Sequence, residues 1–130
     1  MKRFSFSREK RLVSNRQFKS VMARGLRQSD GLLILYMAKN DCGYSRLGVS
    51  VAKSCGNAVV RNRLKRLLRE VFRQNHDRIP VGFDYLLMVS SKWMKKSDTK
   101  KTVTLPTFEQ VRDSFLALVQ ELKFEVPNVN

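Results

Sequence analysis

The 130-residue sequence is poor in the groups from which most protein-borne catalysis is built. It has one histidine, His76, two cysteines, Cys42 and Cys55, and 11 acidic residues. Two cysteines are too few for a disulfide framework, and with a lone histidine they cannot complete a four-ligand zinc site without acids. Asp84 and Asp98 do not form a recognisable metal pair. A protein-only nuclease would need clustered carboxylates or histidines to hold metal or move protons, and the sequence shows none. Gly56-Asn57 lacks the spacing of a phosphate-cradling nucleotide loop. No apolar run approaches the roughly 20 residues of a membrane helix. The first residues, MKRFSFSREKRLVS, have no continuous apolar stretch and so are not expected to be a secretory signal. Neither catalytic residues nor metal ligands are therefore expected in the protein, and the cytoplasm is the expected compartment.

Positive charge is what the sequence has in excess. There are 26 Lys and Arg against the 11 acids, a formal net charge of +15 and a pI near 10.5. The excess is segregated: residues 1–30 hold nine basic and two acidic side chains, and residues 61–100 hold eleven against four. Residues 101–130 are close to neutral, with three against four. Solubility requires only a modest net charge, so this footprint points to a polyanion, of which nucleic acid is the obvious one.

With no repeat, low-complexity tract or Gly/Ser-rich linker, residues 1–130 are expected to form one domain. Ser14 with Gln17 has the form of a capping box, with Val13 and Phe18 placed for a hydrophobic staple, and a first helix is predicted over 14–24. Strands are predicted over 31–39, 46–52 and 83–90. In the second, Leu47, Val49 and Val51 alternate with Gly48, Ser50 and Ala52, which leaves one face nearly bare. A helix is predicted over 58–75 behind an Asn57 cap, then a basic loop over 92–106. A last helix over 107–123 buries Val111, Phe115, Leu118, Val119 and Leu122. The α-β-β-α-β-α order implies an α+β sandwich with helices packed on one sheet.

The helix over 58–75 carries the functional signal. Val60, Leu64, Leu67, Leu68 and Val71 fall on one face, with Phe72 at its edge. Arg61, Lys65, Arg69 and Arg73 form an i+4 row beside that face, with Asn62 and Arg66 next to it. The members of the row rise about 6 Å from one to the next, a step comparable with phosphate separation in an extended strand. Arg suits phosphate because its planar fork grips two oxygens. Glu70, the one acid here, can pair with Arg66 or Arg73 and hold their geometry. A basic helix of this kind could also lie in a DNA groove. His76 is placed to cap the last carbonyls of the helix.

Arg46-Leu-Gly-Val-Ser-Val-Ala-Lys53, then Gly56-Asn57-Ala58-Val59, then Arg61-Asn62-Arg63-Leu64-Lys65-Arg66 and Arg69-Glu70, resemble the bacterial ribonuclease P protein subunit. Arg11-Leu12, Phe18, Gly25, Tyr36 and Asp84 extend the resemblance over most of the chain. It implies a sheet of about four strands with a left-handed β-α-β crossover. It also implies a binding protein inside a ribonucleoprotein endonuclease, whose RNA subunit holds Mg²⁺ and cuts the 5′ leader from precursor tRNA. The implied contacts to the catalytic RNA are Arg61, Asn62, Arg63, Lys65, Arg66 and Arg69, to which the i+4 row adds Arg73. The implied leader-binding residues are Phe18, Tyr36 and Lys53, where rings give stacking platforms and the lysine a phosphate contact; Phe18 and Tyr36 also suit a core. No membrane or DNA partner is expected. The alternative is a structural, ribosomal-type RNA-binding protein. Three positions depart from the family pattern: Met22 replaces a usual aromatic, and Ser54 and Ser90 replace usual basic residues. The five lysines Lys92, Lys95, Lys96, Lys100 and Lys101 of the 92–106 loop are candidates to restore that charge.

Overall fold

The structure, a computed structural model, describes residues 11–12, 14–90 and 105–123. The expected staple residue Val13 and the five lysines of the loop lie outside the described residues. Among the described residues seven helices and strands follow one another: α1 (Asn15–Arg24), β1 (Leu26–Ser29), β2 (Leu33–Lys39), β3 (Arg46–Ser50), α2 (Ala58–Asn75), β4 (Phe83–Val89) and α3 (Phe108–Lys123). The long elements keep the α-β-β-α-β-α order. β1 joins them as a short edge strand whose Leu-Arg-Gln-Ser sequence is too brief to show alternation.

Two capping boxes form, the one expected at Ser14 and one at Thr107, where the sequence has the same spacing of hydroxyl and glutamine. Ser14 Oγ accepts from the Gln17 amide at 3.1 Å while Gln17 Oε1 accepts from the Ser14 amide at 3.2 Å. Thr107 and Gln110 make the same reciprocal pair at 2.9 and 3.1 Å. The strand predicted over 83–90 ends one residue early at Val89, and the other two fall two residues short of their predicted spans for local reasons. Asp30 Oδ1 accepts from the amides of Leu32 and Leu33, both at 3.1 Å, which makes a turn of residues 30–32. At the other strand, Lys53–Cys55 winds into a 3-10 turn, so β3 stops at Ser50.

The four strands lie in the order β1-β2-β4-β3. β2 pairs antiparallel with both β1 and β4, whereas β3 runs parallel to β4, and α2 makes the connection between these two. α2 and α3 cover one face of the sheet and α1 packs on the other. The main core is built from the aliphatic side of every strand with the apolar faces of α2 and α3. Phe72 departs from its predicted place at the edge of the helix's apolar face: it is 3% exposed. Its ring sits 5.7 Å from that of Tyr85 and 6.2 Å from that of Phe115. The reason is α3, which packs beside α2 and widens the buried arc, while Leu67 on the opposite border stays half-buried. His76 sits where expected, its Nδ1 3.0 Å from the Arg73 carbonyl oxygen at the helix end.

A second, smaller core lies under α1. Leu12, Val21, Ala38 and Leu86 are buried there, with Phe18, Tyr36 and Met88 partly buried against them. This small core fixes α1 to only part of the sheet's second face.

Candidate nucleic-acid interface

α2 starts from a backbone that only glycine accommodates. Gly56 has φ +145, and a Cβ there would come within 2.9 Å of Val60 Cγ1. Asn57 then caps the helix by accepting from the Val60 amide at 3.0 Å. Buried Leu64, Leu68, Val71 and Phe72 clamp the helix to the sheet and α3. The basic side chains are thereby set out in two tiers. Asn62, Arg63 and Arg66 stand exposed on the outer side, beside the exposed Val59. Arg61, Lys65 and Arg69 are half-buried along one flank, their stems packed while their charged ends reach outward. The Nε of Arg61 is enclosed with no acceptor among the described residues.

The sole acid of the helix resolves one of its own alternatives. Glu70 takes both prongs of Arg73 and, at 2.6 Å, the amide of Gln74. These bonds hold the Glu70 carboxyl below its ordinary range, the Arg73 contact being the larger cause. Arg73 therefore differs from the rest of its row, because its charge is already matched. Among the described residues no carboxylate pairs with Arg61, Arg63, Lys65, Arg66 or Arg69. Five cations on one rigid helix with one matched neighbour make a surface that is complete only with an anion against it.

A further cation arrives from the start of the chain. Arg11 forms a bridge with Leu47 alongside β3, and the Leu12 amide donates to the Leu47 carbonyl at 2.8 Å. This brings Arg11 near Arg69, whose guanidinium is held below its ordinary range by desolvation and, second, by the Arg11 charge. Spacing along the chain gave no hint of this neighbourhood, because it is created by pairing a distant segment to the edge of β3.

The second surface lies on the α1 face of the sheet. Phe18 packs on the bare side of β3: a Cβ at position 48 would approach its ring to 2.8 Å and Leu12 Cβ to 2.9 Å. Gly48 is thus a bed for Phe18, which is half-buried and serves the small core and the surface together. Tyr36 is half-buried beyond it, and Ile34, Met88 and Ser50 continue the open part of the face, all half-buried. Met22, 42% exposed, follows Phe18 by one helical turn. Lys53 stands exposed in the turn joining β3 to α2, between the two surfaces. Ser54 is exposed beside it, but Ser90 is buried and its amide donates to the Leu32 carbonyl, so that position carries the β2–β4 pairing on past Val89.

The floor of this face is anchored by Asp84, 1% exposed. Its carboxylate takes Arg46 through two bonds of 2.7 Å, Asn40 at 2.8 Å and Arg24 at 3.3 Å. Arg24 also donates to the Lys39 carbonyl at 2.6 Å, which ties the last turn of α1 to the sheet. Asp84 is a structural counter-ion and brings no negative charge into the groove. Among the described residues no three His, Cys, Asp or Glu side chains gather as a metal site.

Comparison with known proteins agrees with this arrangement. The Ribonuclease P family model matches residues 6–123. The ribonuclease P protein component of Petrotoga mobilis is 31% identical over 119 residues, covering 92% of this chain and 96% of the relative. That of Clostridium botulinum strain Langeland is 43% identical over 82 residues, covering 62% and 74%. Among solved structures, the RNase P protein from Thermotoga maritima superposes with a TM-score of 0.73 at 32% identity, covering 85% of this chain and 96% of that one. The Staphylococcus aureus RNase P protein gives 0.68 at 26% identity, covering 88% and 94%.

Proposed function

Because this chain belongs to the ribonuclease P protein family and so serves as the protein subunit of that ribonucleoprotein, we propose a division of labour between its two surfaces. α2 docks on the catalytic RNA through Arg61, Asn62, Arg63, Lys65, Arg66 and Arg69, with Arg73 a weaker contributor because Glu70 already engages it. The groove beside α1 takes the single-stranded 5′ leader of precursor tRNA, with Phe18 and Tyr36 as stacking platforms and Lys53 as a phosphate contact. The RNA subunit performs the cleavage and holds Mg²⁺; the described residues of this chain offer no clustered donor set for the ion. The protein raises the rate by binding and orienting, which can supply much of a barrier reduction without contributing a reacting group.

The single observation that carries this reading is the set of unmatched cations on α2, held rigidly by a buried apolar underside. A merely solvated helix would interleave acids at i+4, since unopposed like charges at that spacing are destabilising. The ribosomal-type alternative is not favoured, because the relatives are ribonuclease P protein components. No described helix is long and apolar enough to cross a membrane, and the cytoplasm, where precursor tRNA is made in bacteria, is the proposed compartment. The test is reconstitution with a bacterial ribonuclease P RNA at low Mg²⁺, following 5′ processing of precursor tRNA. Stimulation by the protein is expected. Absence of stimulation, or cleavage by the polypeptide with no RNA subunit, would overturn the proposal.

A further inference from the structure

The α1 face of the sheet continues past Tyr36 to β1, and the residue waiting there is basic. The register pairs Arg27 directly with Tyr36 and Ser29 with Ile34. Directly opposed residues of an antiparallel pair project from the same face, with Cβ atoms about 5 Å apart. Arg27 is exposed and has no ion-pair or hydrogen-bond partner among the described residues. The acid closest along the chain, Asp30, is engaged elsewhere: one oxygen accepts from the amides of Leu32 and Leu33 and the other from Ser114 of α3, on the opposite side of the sheet. Asp84, the acid of the α1 face among the described residues, is saturated by Arg46, Arg24 and Asn40.

Arg27 and Lys53 therefore mark opposite edges of the same open face. The register runs Ser50 to Met88, Met88 to Ile34 and Ile34 to Ser29, so three strand-to-strand steps lead from the β3 edge to the β1 edge. Three strand spacings amount to about 14 Å. Because Lys53 lies three residues past Ser50 while Arg27 lies two before Ser29 on strands running the same way, the diagonal between the cations is longer, roughly 20 Å, which a few extended nucleotides span. Between them the floor is half-buried Met88, Ile34 and Tyr36, apolar and aromatic, with no unmatched acid among the described residues.

We infer that Arg27 is a second phosphate-binding residue of the groove, which directs a single-stranded RNA across the strands from the Lys53 edge to the β1 edge. Its guanidinium grips a backbone phosphate while the neighbouring base lies on Tyr36, the pairing of charge and ring on which sequence-tolerant single-strand binding depends. This supplies groove charge from a described position, where Ser54 and Ser90 withhold it. The inference rests on the leader-groove reading above.

The test compares reconstituted holoenzymes on precursor tRNA carrying either a long leader or one too short to reach β1. Arg27→Gln should weaken binding of the long-leader substrate roughly tenfold, the scale of one charge-assisted hydrogen bond. It should reduce the salt slope by about 0.7 and leave the short-leader substrate and RNA-subunit assembly unchanged. Arg27→Lys should recover most of the loss. Equal weakening for both leaders, or none for either, overturns the inference. Tyr36→Ala, run in parallel, separates the two levels of argument. If it lowers long-leader affinity while Arg27→Gln does not, Arg27 is not a contact and the groove stands. If neither variant changes leader dependence, the groove reading falls as well.

Discussion

Arg46 and Asp84 are register partners on the parallel strands β3 and β4 and meet in a two-pronged ion pair, Nε to Oδ1 and Nη2 to Oδ2 both at 2.7 Å. Since the same carboxylate receives Arg24 from the end of α1, one buried acid sets both the strand pairing and the angle at which α1 overhangs the sheet. Asp84→Asn should cost about 3 kcal/mol of stability, at the lower end for breaking a buried pair because Arg46 can still reach water. Urea denaturation measures it. Arg24→Met should cost less than about 1 kcal/mol, since that side chain is half exposed. A cost for Arg24→Met equal to that for Asp84→Asn would contradict this hierarchy.

On α2 the unmatched and the matched cations should behave differently. Arg66→Ala, at an exposed position, should weaken assembly with the RNA subunit and lower the salt slope by about one, with the melting temperature unchanged. Arg73→Ala should lose much less affinity, because Glu70 already matches its charge. Equilibrium binding at several salt concentrations reads both, and equal losses would refute the distinction.

Gly48 and Phe18 form a testable couple. Gly48→Ala forces the ring and Leu12 away from contacts of 2.8 and 2.9 Å, and should cost about 1–3 kcal/mol by overpacking. Phe18→Ala should cost about 2 kcal/mol, below the usual range for a fully buried ring. In the double variant the costs should be less than additive, because the clash with the ring is relieved. Strict additivity would show that Phe18 does not rest on this glycine.

Tyr85 gives stability an alkaline dependence. Burial pushes its phenol above the ordinary range, and its hydroxyl donates to the Pro80 carbonyl at 2.6 Å. The unfolded chain ionises near pH ~10 while the folded chain keeps the proton, so above that pH the unfolded state binds fewer protons and stability falls as pH rises. Tyr85→Phe should lose about 1 kcal/mol near neutrality from the missing hydrogen bond. It should also flatten the decline above pH ~10. An unchanged alkaline slope in the variant would mean that other groups set it.

The parts of the molecule legible in the sequence were those with strong local signals. Ser14 with Gln17, Thr107 with Gln110, and Asn57 before an amphipathic run announce helix starts because capping is a matter of three or four neighbouring residues. The stripe of α3 and the basic helix were equally plain. What escaped was set by tertiary pairing. β1 is too short to show a period, so Arg27 had no visible partner until the register placed it against Tyr36. Arg11 reaches Arg69 only because residues 11–12 join the edge of β3. Phe72 lay at the margin of a single helix's apolar face, but α3 supplies a second wall that buries it. Between Arg66 and Arg73 as partners of Glu70, spacing left both open, and the side-chain geometry chose Arg73.

The central claim is that the unmatched cations of α2 hold the protein to its RNA subunit. Its most direct measurement is the affinity of the chain for ribonuclease P RNA alone, as a function of salt, for the native protein and for Arg63→Gln/Arg66→Gln. The account predicts weaker binding and a shallower salt dependence by about two phosphate contacts, at unchanged fold. Identical affinity and slope for the two proteins would contradict it.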